Sequence, residues 1–281
     1  GAAAPASAGA TLGRTGRLVY RIGRSAVVGI GFDGTAVAGC PRGTLAIGSG
    51  GDVRAAVGSA WLSALRLRDG TDEDALPDDG ALVTAHGPQA ARIRGFAICI
   101  DRGVLVPHWV TEFVDPGEPE RVAFVGCSLG GTVALSGGVT FETSLGWIAS
   151  LWPYDDGDPG ETVDDGWAVS LFDAGGGDTP ARLDLVCASR TGPISFRRSL
   201  GVPLAPGGSA VATVRCKRGS HAISGGVSAI GSADDVRVTA SIPWDGADRD
   251  RVPDDGWRVR ADRHPAGALG AVTAWVTCLR R

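Results

Sequence analysis

The chain has 281 residues, 43% of them hydrophobic, and a formal net charge of −4. That apolar fraction is enough to build real cores, so disorder is not the default. Charges of both signs are interspersed with no basic stripe, which argues against a nucleic-acid backbone or an anionic membrane as partner, and no apolar run approaches the ~20 residues that span a bilayer.

The first residues, 1–11, are small and weakly patterned and are expected to form a flexible tail. They read as the mature end left by processing or as a cloning scar, and the absence of any methionine agrees with removal of an N-terminal segment. Lys217 is the only lysine among 27 basic residues, which looks like a GC-rich coding bias.

From residue 12 onward the chain repeats itself. Its six cysteines fall as Cys40 and Cys99, Cys127 and Cys187, Cys216 and Cys278, with in-pair separations of 59, 60 and 62 and between-pair separations of 28 and 29. A glycine lies 24 residues before the first cysteine of every pair, at Gly16, Gly103 and Gly192, and opens a strand-like run. After that cysteine comes a small-residue loop and a double glycine: Gly50-Gly51, Gly137-Gly138 and Gly225-Gly226. An acidic turn follows, Asp78-Asp79-Gly80, Asp164-Asp165-Gly166 and Asp254-Asp255-Gly256, and each copy closes on an apolar run into its second cysteine. The units are placed at 12–99, 100–187 and 188–281.

Within a unit the runs are short, partly alternating, and bounded by Gly, Pro and Asp, and none sustains a helical period. The expected fold is all-β: three tandem homologous disulfide-bonded β-sandwich-like repeats, packed either in a line or as one pseudo-threefold body. The double glycine is expected to mark a bulge or a turn with positive φ, and Asp-Asp-Gly a turn whose Asp side chains satisfy backbone donors. Recurrence favours the bonds Cys40–Cys99, Cys127–Cys187 and Cys216–Cys278, since an equivalent crosslink should appear in every copy. There is no CxxC and no cysteine with a close histidine, so zinc is the poorer reading. Disulfides imply an oxidising, secreted location.

Gly126-Cys127-Ser128-Leu129-Gly130 contains the G-x-S-x-G of a hydrolase nucleophile elbow. A serine hydrolase using Ser128 is therefore carried as an alternative. The same place in the other copies reads Cys40-Pro41-Arg42-Gly43 and Cys216-Lys217-Arg218-Gly219, with no serine, so a structural corner explains the residues better. Ser136 to Gly138 resembles part of a trypsin-like loop, and its recurrence again favours scaffold. The four histidines, His86, His108, His221 and His264, occupy no equivalent positions and show no metal-site spacing.

The loops before the acidic turns concentrate carboxylates. Asp69, Asp72 and Asp74 in the first copy, Asp156 and Asp158 in the second, and Asp248 and Asp250 in the third are candidate Ca²⁺ ligands, although none forms an EF-hand loop and a solvated turn is the blander reading. Copies two and three enter this loop through Tyr154-Asp155 and Trp244-Asp245 and leave through Trp167 and Trp257. An aromatic beside carboxylates suits a sugar, the ring covering a pyranose face while Asp accepts hydroxyl hydrogen bonds. Those six residues are the candidate ligand site, with core packing the competing role for Trp167 and Trp257.

The unit as a whole resembles the cysteine-paired β-repeat proteins secreted by GC-rich bacteria, a class whose likeness implies export and β architecture and nothing about substrate. The functional expectation is a secreted, non-enzymatic binding or structural protein that presents repeated loops to a glycan, a cell-envelope component or a protein. Self-assembly into a particle or filament is the second alternative. No cofactor beyond Ca²⁺ is expected.

Overall fold

A computed structural model describes residues 7–12, 16–70, 77–103, 107–114, 117–127, 132–141, 145–155, 165–176, 180–189, 194–246 and 252–280. Among these the regular structure is entirely β. The first copy contributes β1 (Ser7–Leu12), β2 (Gly16–Ile22), β3 (Ala26–Val28), β4 (Phe32–Gly39), β5 (Thr44–Arg54), β6 (Trp61–Arg68), β7 (Gly80–Gly87) and β8 (Ala91–Asp101). The second contributes β9 (Pro107–Val114), β10 (Glu120–Gly126), β11 (Thr132–Phe141), β12 (Gly146–Tyr154), β13 (Gly166–Asp173) and β14 (Ala181–Ser189). The third contributes β15 (Ile194–Arg198), β16 (Val202–Leu204), β17 (Ser209–Arg215), β18 (Ser220–Ile230), β19 (Val236–Trp244), β20 (Gly256–Arg263) and β21 (Gly270–Arg280).

These strands form three antiparallel sheets, and every sheet is shared by two copies. Sheet I runs β1-β2-β8-β5-β19-β20-β17 with β3 also on β8, sheet II runs β4-β7-β6-β11-β14-β9, and sheet III runs β10-β13-β12-β18-β21-β15 with β16 also on β21. The first copy thus supplies one side of sheets I and II, the second one side of II and III, and the third one side of III and I. The strand pairing closes on itself, which selects the pseudo-threefold arrangement over the linear one. Ser7–Leu12, of which residues 7–11 belong to the segment expected to be a tail, pair in register with Arg21 to Gly16 and form the edge of sheet I.

Each copy is a small sandwich because its two half-sheets face one another, β5 against β6 and β7, and β8 against β4 and β7 in the first. Burial follows this directly. Val83, Val169 and Val259 lie at equivalent inward positions and are fully buried, and one apolar cluster runs through all three copies, from Leu18 and Ile98 through Leu185 to Ile223 and Val276.

The three disulfides have the expected partners, Cys40–Cys99, Cys127–Cys187 and Cys216–Cys278. In each, one cysteine follows the last residue of an edge strand (β4, β10 or β17) and the other lies in β8, β14 or β21. Every bond therefore ties two sheets together within one copy. With no free cysteine, the chain belongs in an oxidising environment.

The double glycines lie where the strands of two copies join within one sheet. The joints are Ala240↔Asp52 and Ser241↔Gly51 between β19 and β5, Val139↔Leu65 and Thr140↔Ala64 between β11 and β6, and Leu151↔Val227 between β12 and β18. A bulge precedes the glycines in each, between Ala46 and Gly48, Ala134 and Ser136, and Ala222 and Ser224. Aligned on that bulge, the first copy slips by one residue: Gly48-Ser49-Gly50 matches Ser136-Gly137-Gly138 and Ser224-Gly225-Gly226. Gly50, Gly138 and Gly226 then face the joint, where a Cβ would lie 2.9 Å from the Ser241 oxygen, 2.8 Å from the Leu65 oxygen and 2.2 Å from the Leu151 oxygen. None of the three has a positive φ, so close approach explains them and a left-handed turn does not.

Candidate functional site

The middle glycine explains the tryptophans. A Cβ on Gly137 would come 2.5 Å from Trp167 Cγ, and one on Gly225 would come 2.3 Å from Trp257 Cγ. Trp167 and Trp257 are 1% and 0% exposed, and the Trp257 indole donates to Ser241 Oγ at 2.9 Å. The first copy has the complementary choice, Ala81 opposite Ser49, both buried. Glycine on β11 and β18 is thus matched to tryptophan on β13 and β20, and where β5 has serine, β7 has alanine. Trp167 and Trp257 pack the interior and offer no ring face to a ligand.

The acidic turns also serve the scaffold. Cys40, Cys127 and Cys216 donate their N–H groups to the carbonyls of Asp79, Asp165 and Asp255 at 2.7, 2.8 and 2.9 Å. Ala46 and Ala222 donate to the carbonyls of Asp78 and Asp254 at 2.6 and 2.7 Å. The Asp255 carboxylate accepts from the Gly246 N–H at 2.7 Å, closing the neck of its loop. Asp78 and Asp254 are buried, facing Arg102 at 3.3 Å and His221 respectively. The turn glycine must be glycine because the adjacent edge strand crosses it. A Cβ at Gly80, Gly166 or Gly256 would lie 2.1, 2.2 or 2.0 Å from the carbonyl of Ala38, Val125 or Val214.

The serine motifs resolve similarly. Ser136 and Ser224 are buried at the bulges, and Ser224 donates to the Leu135 carbonyl of the neighbouring copy. The corners that match Ser128 are tight turns, Thr44 N–H to Pro41 carbonyl at 3.1 Å and Ser220 N–H to Lys217 carbonyl at 3.0 Å, each with a left-handed glycine, Gly43 or Gly219. Ser128 itself lies outside the described residues. His86 is nearly buried against Asp33 at 3.0 Å and His221 against Asp254, both local pairs.

Of the acidic candidates, Asp72, Asp74, Asp156, Asp158, Asp248 and Asp250 lie outside the described residues. Asp69 is exposed, and Asp155 and Asp245 are half-buried. Among the described residues no group of three His, Cys, Asp or Glu is placed to hold a metal ion.

Tyr154 and Trp244 remain at the surface. Both end the strand that enters an acidic loop, opposite Gly166 and Gly256, and both are half-buried. Tyr154 meets Phe124 edge to face at 5.1 Å between ring centres. Two guanidiniums lie near Trp244, Arg215 at 4.7 Å and Arg258 at 5.4 Å from its ring centre. The sheets therefore place the two aromatics on different outer faces, Tyr154 on sheet III and Trp244 on sheet I.

The surroundings of Trp244 contain what the linear chain hides. Although no basic run exists in the sequence, six arginines gather on the outer face of sheet I, Arg92 and Arg94 on β8, Arg54 on β5, Arg258 and Arg260 on β20, and Arg215 on β17. Asp52 lies among them, mostly buried, with Arg94 at 2.6 Å, Arg54 at 3.1 Å and Arg260 at 4.0 Å. Sheet II has only a smaller counterpart, Arg66 and Arg182 around Asp184, where burial pulls the Arg66 guanidinium below the usual arginine range and Asp184 opposes it. The alternation Arg92-Ile93-Arg94 and Arg258-Val259-Arg260 was a sequence signal for charged outer faces. That the two would share a sheet was not.

The opposite ends of the central strands carry a second cluster. Trp61, Trp147 and Arg237 occupy equivalent positions at the starts of β6, β12 and β19, and the guanidinium lies 4.4 and 4.6 Å from the two rings. Burial pulls Arg237 down from the usual arginine range while Asp262 opposes the shift. Trp147 donates its indole N–H to the Ala233 carbonyl at 2.8 Å and Arg237 donates to the Gly58 carbonyl at 3.4 Å, whereas Trp61 Nε1 and Arg237 Nε are buried without a hydrogen-bond partner among the described residues, so this is a packed cap held mainly by ring and guanidinium contact.

The chain matches no protein-family model and no curated protein sequence. Among solved structures it is similar to a chain described as "The Triple Jelly Roll Fold and Turret Assembly in an Archaeal Virus", at 9% identity and a TM-score of 0.22, covering 99% of this chain and 89% of that one. A chain described as "Life in the extremes: atomic structure of Sulfolobus Turreted Icosahedral Virus" is similar at 10% identity and a TM-score of 0.22, covering 100% and 90%. Likeness at that TM-score transfers neither fold nor role. Among the described residues no helix is long and apolar enough to cross a membrane.

Proposed function

We propose that this is a secreted, non-enzymatic binding protein whose surface loops and aromatic corners engage a glycan. The observation that carries the reading is the contrast among the aromatic candidates. Trp167 and Trp257 are consumed by packing, whereas Tyr154 and Trp244 stand partly exposed at equivalent strand ends beside Asp155 and Asp245. A half-exposed ring next to carboxylates supports stacking on a sugar with hydroxyl hydrogen bonds to the acids. The three disulfides support export, and the scaffold roles of the serine-bearing segments in the described copies weigh against a hydrolase. Calcium remains a candidate ligand of the acidic loops, and its binding would appear as heat in a titration after chelation.

Glycan-array binding by the wild-type chain, lost in the Tyr154→Ala, Trp244→Ala double variant while the thermal melt is preserved, is the expected result. Binding that is unchanged in the double variant would overturn the role of these rings. A second reading, a subunit of a larger assembly, is favoured by edge strand β9, which carries Phe113 with 63% of its surface exposed. A strict monomer at high concentration in light scattering would remove it.

A further inference from the structure

The outer face of sheet I is a polyanion cradle, and we infer that the ligand it takes is an acidic polysaccharide, bound through carboxylate or sulfate groups. This rests on the binding role proposed above and narrows it to a substrate class.

A shallow groove of about 510 Å³ crosses the sheet, floored by Val211, Ala240 and Ile242 and edged by Arg54, Arg94, Arg258 and Arg260. The strand register lays its central row across five strands, Arg94 opposite Asp52, Asp52 opposite Ala240, and Ala240 opposite Arg260, which in turn faces Val211. With neighbouring strands ~4.8 Å apart, that row is about 19 Å long, enough for several sugar units in line. Five of the six arginines, Arg54, Arg94, Arg215, Arg258 and Arg260, have a contact that holds them before any ligand arrives. Asp52 anchors Arg94, and Arg260 is fixed by Thr239 Oγ1 at 2.7 Å and by the Val53 carbonyl. Arg215 and Arg258 lie 4.7 and 5.4 Å from the centre of the Trp244 ring, within cation–π range, and both residues are exposed. Guanidiniums so ordered give up little entropy on binding, and their paired N–H donors match carboxylate and sulfate oxygens. Six arginines stand against Asp52, while Asp262, the next outward residue of β20, lies opposite Arg237 and accepts from the Gly58 N–H at 2.8 Å, so this stretch of the face is positive on a chain whose net charge is −4. The excess charge is therefore local, and the apolar floor suits a sugar ring better than a flat ion layer.

The test uses the intact oxidised chain on surfaces bearing polygalacturonate, heparin, neutral dextran or a single-stranded oligodeoxynucleotide. Binding to one or both acidic polysaccharides and not to dextran is expected, with the two arms separating carboxylate from sulfate. Affinity should fall about tenfold between about 50 and about 300 mM NaCl, as the charges are screened. The variant Arg54→Ser, Arg92→Ser, Arg258→Ser should lose at least about tenfold in affinity. The control Arg24→Ser, Arg42→Ser, Arg218→Ser, which removes equal charge from exposed sites elsewhere, should bind as wild type. Salt-insensitive binding, equal loss in both variants, or an oligonucleotide bound as tightly as the polysaccharides would overturn the inference. Binding to dextran alone would overturn it while leaving a neutral-glycan role intact, and no binding to any surface would overturn it with the glycan array deciding the wider reading. The salt titration needs no variant, so a misfolded triple mutant does not block the test.

Discussion

The size match between Gly137 and Trp167 yields a double-mutant prediction. Gly137→Ser places a Cβ 2.5 Å from Trp167 Cγ and 2.7 Å from both Cβ and Cδ2, so the indole must move within a packed interior. Overpacking of this kind costs about 1–3 kcal/mol. Trp167→Ala alone empties a site that is 1% exposed and costs about 3–5 kcal/mol. The pair Gly137→Ser, Trp167→Ala recreates the Ser49/Ala81 arrangement of the first copy, in which the clash is absent and the hydroxymethyl group takes part of the vacated space. The double variant should therefore be more stable than the sum of the single losses by at least about 1 kcal/mol, the scale of coupling between contacting residues. Denaturant unfolding of the four proteins under oxidising conditions measures this. Strict additivity would mean that the two positions do not touch and would refute the reasoning.

Three further perturbations follow from the same geometry. Removing any one disulfide as a Cys-to-Ala pair should lower stability by about 4 kcal/mol, because the three loops have nearly equal lengths of 59, 60 and 62 residues, and calorimetry of the three variants should find similar losses. Gly256→Ala drives a Cβ to 2.0 Å from the Val214 carbonyl, so β17 should detach locally and its amides exchange faster with solvent than those of β15. Arg237→Lys keeps the charge but loses the flat guanidinium that lies against Trp61 and Trp147, and should cost about 1–2 kcal/mol by thermal melt.

Much of the fold was legible because covalent and steric constraints recur at fixed spacing. Cys40, Cys127 and Cys216 announce both the repeat and the crosslinks, and Gly80, Gly166 and Gly256 recur because each abuts a neighbouring carbonyl. Gly50-Gly51 falls one residue out of step with Gly137-Gly138 because the bulge between Ala46 and Gly48 comes one residue sooner after its cysteine than the bulge between Ala134 and Ser136. Spacing within a copy also says nothing of which copy a strand will join, so the pairing of Ser241 with Gly51 could not be read. The same blindness hid the arginine face, whose halves come from Arg92 and Arg94 in the first copy and Arg258 and Arg260 in the third. Tyr154 and Trp244 were legible as an aromatic pair beside acids, but their separation onto two sheets follows only from the closed topology.

The joint between the first and last copies is therefore the decisive place, since it both closes the body and assembles the basic face. Nuclear Overhauser contacts between β5 and β19 test it directly in solution. Closure predicts cross-strand signals linking Asp52 with Ala240 and Gly51 with Ser241, alongside those linking Thr140 with Ala64. Signals at the β11/β6 joint with none between β5 and β19 would describe an open chain of sandwiches and contradict the account.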